Sequence, residues 1–187
     1  MKLLLPALLL LVVGCSGQPV ENHYYLLRND TPLDSRELKP STEYAIGNVK
    51  IAPYIDQPGL VLEVGTGEIR PAMRHQWAEP MHDSVRNFLL VEISRRLGED
   101  VFPAEISSAE TELDIRISQL HGTQDGEVIL SGLWMLRRGN EIVNSYSFRQ
   151  TRQQVGDGYA AMAAAQEALL EELAKSIVKS MQAASAG

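Results

Sequence analysis

Leu113-Asp114-Ile115-Arg116-Ile117-Ser118 alternates apolar and polar side chains, the period of a strand with one face in water. The stretch from Gly122 to Gly126 turns the chain, and Val128 to Leu136 follows as a second strand. Arg138-Gly139-Asn140-Glu141 then reads as a tight hairpin into Ile142–Arg149. A two-residue Gly-Asn loop pairs Leu136 with Val143, Leu133 with Tyr146 and Ser131 with Phe148. On that register Val128, Leu130, Trp134 and Leu136 occupy one side of the middle strand, and Ile129, Leu133 and Met135 the other. A strand that is apolar on both faces is covered twice.

A helix precedes this β region and another follows it. Trp77-Ala78-Glu79-Pro80 marks a helix entry, because proline is tolerated in the first turn and Glu79 sits at the positive end of the helix dipole. Met81, Val85, Phe88, Leu89, Ile93 and Leu97 recur at helical spacing, Arg95 and Arg96 suit the last turn, and Gly98 suits the C-cap. The closing helix is expected from about Tyr159 to Met181, with Asp157 as N-cap and Met162, Ala165, Leu169, Leu173 and Ile177 as its apolar stripe. Ahead of the first helix, His23–Leu27, Tyr44–Ala52 and Leu60–Val64 read as strands. Gly65-Thr66-Gly67 forms a hairpin loop before Glu68-Ile69-Arg70. The order βββαβββα predicts an α+β domain, a mostly antiparallel sheet with two long helices.

The N-terminus carries a different signal. Met1-Lys2 and the apolar run Leu3–Val13 form the n-region and h-region of a secretory signal, too short to cross a bilayer. Val12-Val13-Gly14-Cys15 resembles the lipobox of bacterial lipoproteins, in which the cysteine is acylated and becomes the first mature residue. This divides the chain into a signal peptide (1–14), a lipidated tether (15–22) and one domain (23–187). Eight residues reach at most roughly 26–29 Å, so the domain stays near its membrane. Cys15 is the only cysteine, so stability rests on the core and not on disulfides. The net charge of −7 and the lack of a Lys/Arg cluster argue against nucleic acid and against a basic patch on anionic lipid. The acyl chains then supply the hold on the membrane.

The residues offer no catalytic constellation. There is no Gly-x-Ser-x-Gly elbow, and His23, His75, His82 and His121 show neither HExxH nor i, i+4 spacing, so no metal site or cofactor is expected beyond the lipid on Cys15. Gly65-Thr66-Gly67 lacks the third glycine and the following helix of a nucleotide loop. Glu79 and His82 can meet across the first helical turn as a cap or surface pair. Trp77 and Trp134 fit either a core or an interface anchor.

Several segments together resemble one family. Tyr24-Tyr25-Leu26-Leu27, Val49–Pro58 with Tyr54-Ile55-Asp56-Gln57-Pro58, and Trp77-Ala78-Glu79-Pro80-Met81, after a lipobox and before an Ala/Leu-rich helix, are similar to the ABC-type transport auxiliary lipoproteins of the PqiC (YmbA) type. The resemblance implies an α/β domain like the N-terminal domain of TolB and a non-enzymatic role in lipid transport between the two Gram-negative membranes. It also implies an MCE-domain protein of an inner-membrane complex as partner, and ring-like homo-oligomers. A ring would cover the second apolar face of Val128–Leu136; a second helix of the same chain would do so equally well. Ser16, not aspartate, follows Cys15, which favours the outer membrane and its periplasmic face. Tyr54, Asp56 and Trp77 are the expected partner interface, because the match is densest there, although each could be structural. The competing reading is a stand-alone periplasmic lipoprotein that holds a lipid or hydrophobic ligand in its own pocket.

Overall fold

The computed structural model of the protein describes residues 21–29 and 39–185. Cys15, the signal segment and most of the tether lie outside the described residues. The elements run β1 (His23–Tyr25), β2 (Tyr44–Ile51), β3 (Gly59–Gly65), β4 (Glu68–Trp77), α1 (Met81–Leu97), β5 (Thr111–Thr123), β6 (Glu127–Arg138), β7 (Glu141–Gln153) and α2 (Gly158–Ser185). A 3₁₀ turn at Ala104–Ile106 leads into β5. The order is therefore ββββαβββα, one strand more than the sequence pattern indicated. Residues 68–70 continue as β4 through Pro71 to Trp77. Pro71 reads as a breaker, but β4 has no partner on its outer edge there, and proline is tolerated on an edge.

The sheet is mixed. Its path is β1-β4-β3-β5-β6-β7, with β2 also on β5. The meander β5-β6-β7 and the β3-β4 hairpin are antiparallel, as expected, but β1 on β4, β2 on β5 and β3 on β5 are parallel. One edge of β5 is thus shared: β2 pairs with Thr111–Ile117 and β3 with Gly122–Thr123. A bulge between Ile117 and Gln119 separates the two.

Both helices pack on one face of this sheet and on each other. Leu113, Ile115, Ile117, Leu130, Trp134 and Leu136 meet Phe88, Leu89 and Ile93 of α1 and Leu169, Leu173 and Ile177 of α2. Each such side chain contributes about 1.5–3 kcal/mol by leaving water. Gly132 permits close approach, since a Cβ there would lie 2.0 Å from the Arg116 carbonyl oxygen. Gly98 ends α1 with φ 75°, the left-handed cap that glycine adopts without strain.

The β6–β7 register departs from the simple hairpin. Arg138 faces Glu141 and Arg137 faces Ile142, but a bulge then pairs Leu136 with Asn144, Trp134 with Tyr146 and Gly132 with Phe148. One extra residue flips every following side chain to the other face. Tyr146 and Phe148 thereby join the helix side, with ring centroids 5.2 and 5.6 Å from Trp134. Trp134 is buried, and its Nε1–H donates to Ser180 Oγ on α2 at 3.1 Å, so it belongs to the core. Because α1 and α2 share one face, no helix among the described residues covers Leu133 and Met135, which are half-buried on the other.

Glu92 is a buried carboxylate on α1. It accepts hydrogen bonds from Arg95 (2.6 Å), Arg96 (3.0 Å) and the Asn29 side chain (3.1 Å), and Asn29 also donates to the Phe88 carbonyl. Burial alone would raise its pKa, but the hydrogen bonds and charges of its partners hold it below the ordinary value. A carboxyl lowered in the folded chain contributes stability that is complete above the unfolded pKa and fades as pH falls through the folded one. Glu92→Ala is expected to cost about 2 kcal/mol in urea unfolding at neutral pH. Glu92→Gln should flatten the acid limb of stability against pH; an unchanged limb would show that other carboxylates govern it.

Candidate functional site

Two segments singled out in the sequence are brought together at the start of α1. The Trp77 N–H donates to the Pro58 carbonyl at 2.7 Å, and the Ala78 N–H donates to the Tyr25 carbonyl at 2.8 Å. These bonds lay the end of β4 against the β2–β3 connection and against β1. Between Asp56–Pro58 and residues 77–82 lies a cavity of ≈ 430 Å³. Trp77 and Met81 line it as buried apolar groups, whereas Asp56, Glu79 and His82 are exposed.

Asp56 acts on the helix end. Pro80, at the N-cap position, has no side chain to satisfy the first N–H groups. Asp56 Oδ1 accepts from the His82 backbone N–H at 3.2 Å, a capping bond delivered from 26 residues upstream. The His82 ring lies between two carboxylates, with Nδ1 3.2 Å from Asp56 and Nε2 3.2 Å from Asp83. Glu79, which the sequence suggested as a partner for His82, instead accepts from Ser84 Oγ at 3.3 Å. His82 was therefore visible as a candidate, but its real partner was not, since nothing local connects positions 56 and 82.

Tyr54 does not line this cavity. It reaches the point where β2 and β3 part along β5 and accepts from the Leu120 N–H at 3.4 Å. Its hydroxyl also bonds His121 Nδ1 at 3.0 Å. His121 Nε2 lies 3.2 Å from Glu63, which accepts from the Gly67 N–H as well. Burial raises the Tyr54 hydroxyl pKa, and the Gly67 and His121 hydrogen bonds lower that of Glu63. The two ring nitrogens of His121 thus engage the Tyr54 hydroxyl and the Glu63 carboxylate, one each. The chain Tyr54–His121–Glu63 holds the divided sheet together. Of the three expected interface residues, Asp56 and Trp77 share one cavity, Trp77 as part of its core wall, while Tyr54 supports the sheet.

Among the described residues, no group of three His, Cys, Asp or Glu side chains is placed to hold a metal, and no helix is long and apolar enough to cross a membrane. The cavity has an apolar wall, with the carboxylates of Asp56 and Glu79 at its opening.

This fold has counterparts. Residues 25–178 match the model of the ABC-type transport auxiliary lipoprotein component, and the chain belongs to that family. It is 27% identical over 153 residues to the intermembrane transport lipoprotein PqiC of Escherichia coli K12, a match covering 81% of each chain. PqiC of Shigella flexneri is similar to the same extent. The fold is that of an uncharacterized protein of known crystal structure, with a TM-score of 0.74 at 22% identity over 86% of this chain and 99% of the other. A Xanthomonas campestris protein superposes with a TM-score of 0.66 at 19% identity, over 76% and 88% of the two chains. The chain is thus an envelope lipoprotein of the transport-auxiliary class.

Asp56→Ala is expected to destabilise the domain by about 1 kcal/mol through loss of the cap on α1. Amide exchange at the first turn of α1 should accelerate selectively. Unchanged exchange there would show that Asp56 serves only the cavity.

Proposed function

We propose that the protein is an outer-membrane lipoprotein, acylated at Cys15 and facing the periplasm, that docks the MCE-domain component of an inner-membrane lipid-transport complex. It acts by binding and positioning, as a homo-oligomer, and needs no cofactor beyond its own lipid. The observation that carries the reading is that the two segments in which the resemblance is densest, Tyr54–Pro58 and Trp77–Met81, converge on one cavity through Asp56–Pro58 and Trp77–Met81. Membership of a transport-auxiliary lipoprotein family supports it. The apolar wall with Asp56 and Glu79 at its opening suits a partner segment that presents an apolar side chain beside Lys or Arg. Opposed charges of this kind set partner choice, and like charges across an interface are repelled.

Detergent-extracted, tagged protein should bring down an MCE-domain protein. Glu79→Lys alters an exposed side chain and should leave folding intact while weakening that recovery roughly tenfold. Full recovery with Glu79→Lys would move the interface elsewhere, and no MCE-domain protein with the functional wild type would end the reading. Cys15→Ala should give a folded but mislocalised protein, inactive in cells, and full complementation by it would show the anchor to be dispensable.

A further inference from the structure

β1 joins the tether to the sheet through three residues, and it pairs with β4 alone. Its first residue enters a stack of rings. His23 lies over His75 with ring centroids 4.8 Å apart and planes 9° from parallel, and Tyr159 in the first turn of α2 lies against His75 at 4.4 Å. Tyr25 stacks at 6.0 Å, and its hydroxyl bonds His75 Nδ1 at 2.8 Å. Otherwise β1 is held by its strand pairing, by the Ala78 N–H on the Tyr25 carbonyl, and by Tyr25 and Leu27, both half-buried against the core. A segment fixed by so few contacts lies at the low end of local stability.

The titratable groups that face His75 are His23 and Tyr25 from β1 and Tyr159 from α2. Arg74, its neighbour on β4, alternates to the opposite face of the strand. Among the described residues no carboxylate compensates His75, and Glu167 of α2 accepts instead from the Arg28 backbone N–H at 3.5 Å. Burial, and then the charge of His23, lower the His75 pKa. Protonation works against the stack in two ways. A protonated ring carries hydrogen on both nitrogens, so Tyr25 can no longer donate to Nδ1. Two imidazolium rings held 4.8 Å apart also repel. A histidine lowered in the folded chain contributes fully above its unfolded pKa, and that contribution is lost as pH falls through the folded value.

We infer that the ring stack of His23, His75, Tyr25 and Tyr159 is an acid-sensitive latch: protonation of its paired imidazoles frees β1 from β4 while the rest of the sheet stays folded. The next fixed point after β1 is Asn29, whose side chain donates to the Phe88 carbonyl and to Glu92. Release therefore runs as far as Arg28. With β1 seated, the chain from Cys15 to Asn22 spans at most roughly 26–29 Å. With β1 released, the chain from Cys15 to Arg28 spans at most roughly 46–50 Å. In a domain tethered through Cys15, the latch sets how far the folded part can stand from its anchor. That consequence takes from the proposed function only the acylation of Cys15, and the latch itself takes nothing from it.

The test is hydrogen exchange of the full chain in detergent at about pH 7.5 and about pH 5, with rates corrected for the intrinsic effect of pH. Peptides spanning residues 21–28 and 74–79 should lose protection severalfold at the lower pH, while those of α1 and β5–β6 keep theirs. His75→Phe keeps a stacked ring that cannot take a proton, so its β1 should be protected equally at both pH values. That variant also loses the Tyr25 bond. His23→Phe keeps the bond and removes one charge, and should show a smaller acceleration than the wild type. Equal protection of β1 at both pH values in the wild type overturns the inference. Protection that rises in acid overturns it too, since the attraction of an imidazolium for the Tyr159 ring would then dominate. So does an acceleration in both variants equal to that of the wild type. Loss of protection that spreads across α1 at the same pH assigns the effect to Glu92 and also overturns it. Each of these results leaves the docking function standing.

Discussion

A strand has two edges, and β5 divides one of them. β6 takes the whole of one side, while the other is given to β2 along its first half and to β3 along its second. The chain from β2 to β3 must therefore cross the gap, and backbone groups exposed there need partners. Ala52 N–H donates to the Ile117 carbonyl, Tyr54 receives the Leu120 N–H, and Ile55 fills the core below. Once Tyr54 and Ile55 are fixed, Asp56–Pro58 emerges beside the end of β4, where the Pro58 carbonyl receives the Trp77 N–H. The cavity at the α1 terminus follows from how β5 is shared.

The parts of this arrangement legible in the sequence are those set by local periodicity. The alternation at Leu113–Ile117, the helical spacing from Met81 to Leu97 and the stripe of α2 each declare which face is buried. Long-range choices left no such mark. The parallel placement of β2 on β5 depends on the whole intervening β3-β4-α1 unit, and the bulge after Leu136 depends on how Tyr146 and Phe148 best meet Trp134. Pro71 shows the limit of local rules, because it breaks a strand only where both edges are paired. In the candidate site, Asp56 and Trp77 could be picked out as residues, but their meeting, and the bond from Asp56 to the His82 N–H, needed the fold. Tyr54 drew attention for the same reason as its neighbours, yet it works in the sheet.

Charged groups inside the domain are handled by local compensation. Glu92 is surrounded by Arg95, Arg96 and Asn29, and Arg137 lies between Glu112 and Asp114 on the helix-free face. Asp114 also accepts from the Asn48 N–H at 2.7 Å, so one carboxylate steadies both the bulge in β2 and the arginine of β6. A net-acidic chain built in this way keeps its buried carboxylate, Glu92, paired and leaves others, such as Asp56 and Glu79, at the surface.

The Tyr44 hydroxyl, at the start of β2, donates to the Met181 carbonyl near the end of α2 at 2.7 Å, and both residues are buried. The first long strand of the domain is closed over by its final helical turns. Together with the parallel pairing of β2 to a strand some sixty residues later, this gives a fold of high contact order, which forms slowly because distant segments must find each other first. The N-terminal half of the domain therefore cannot complete its core until the last turns of α2 are available to close over it.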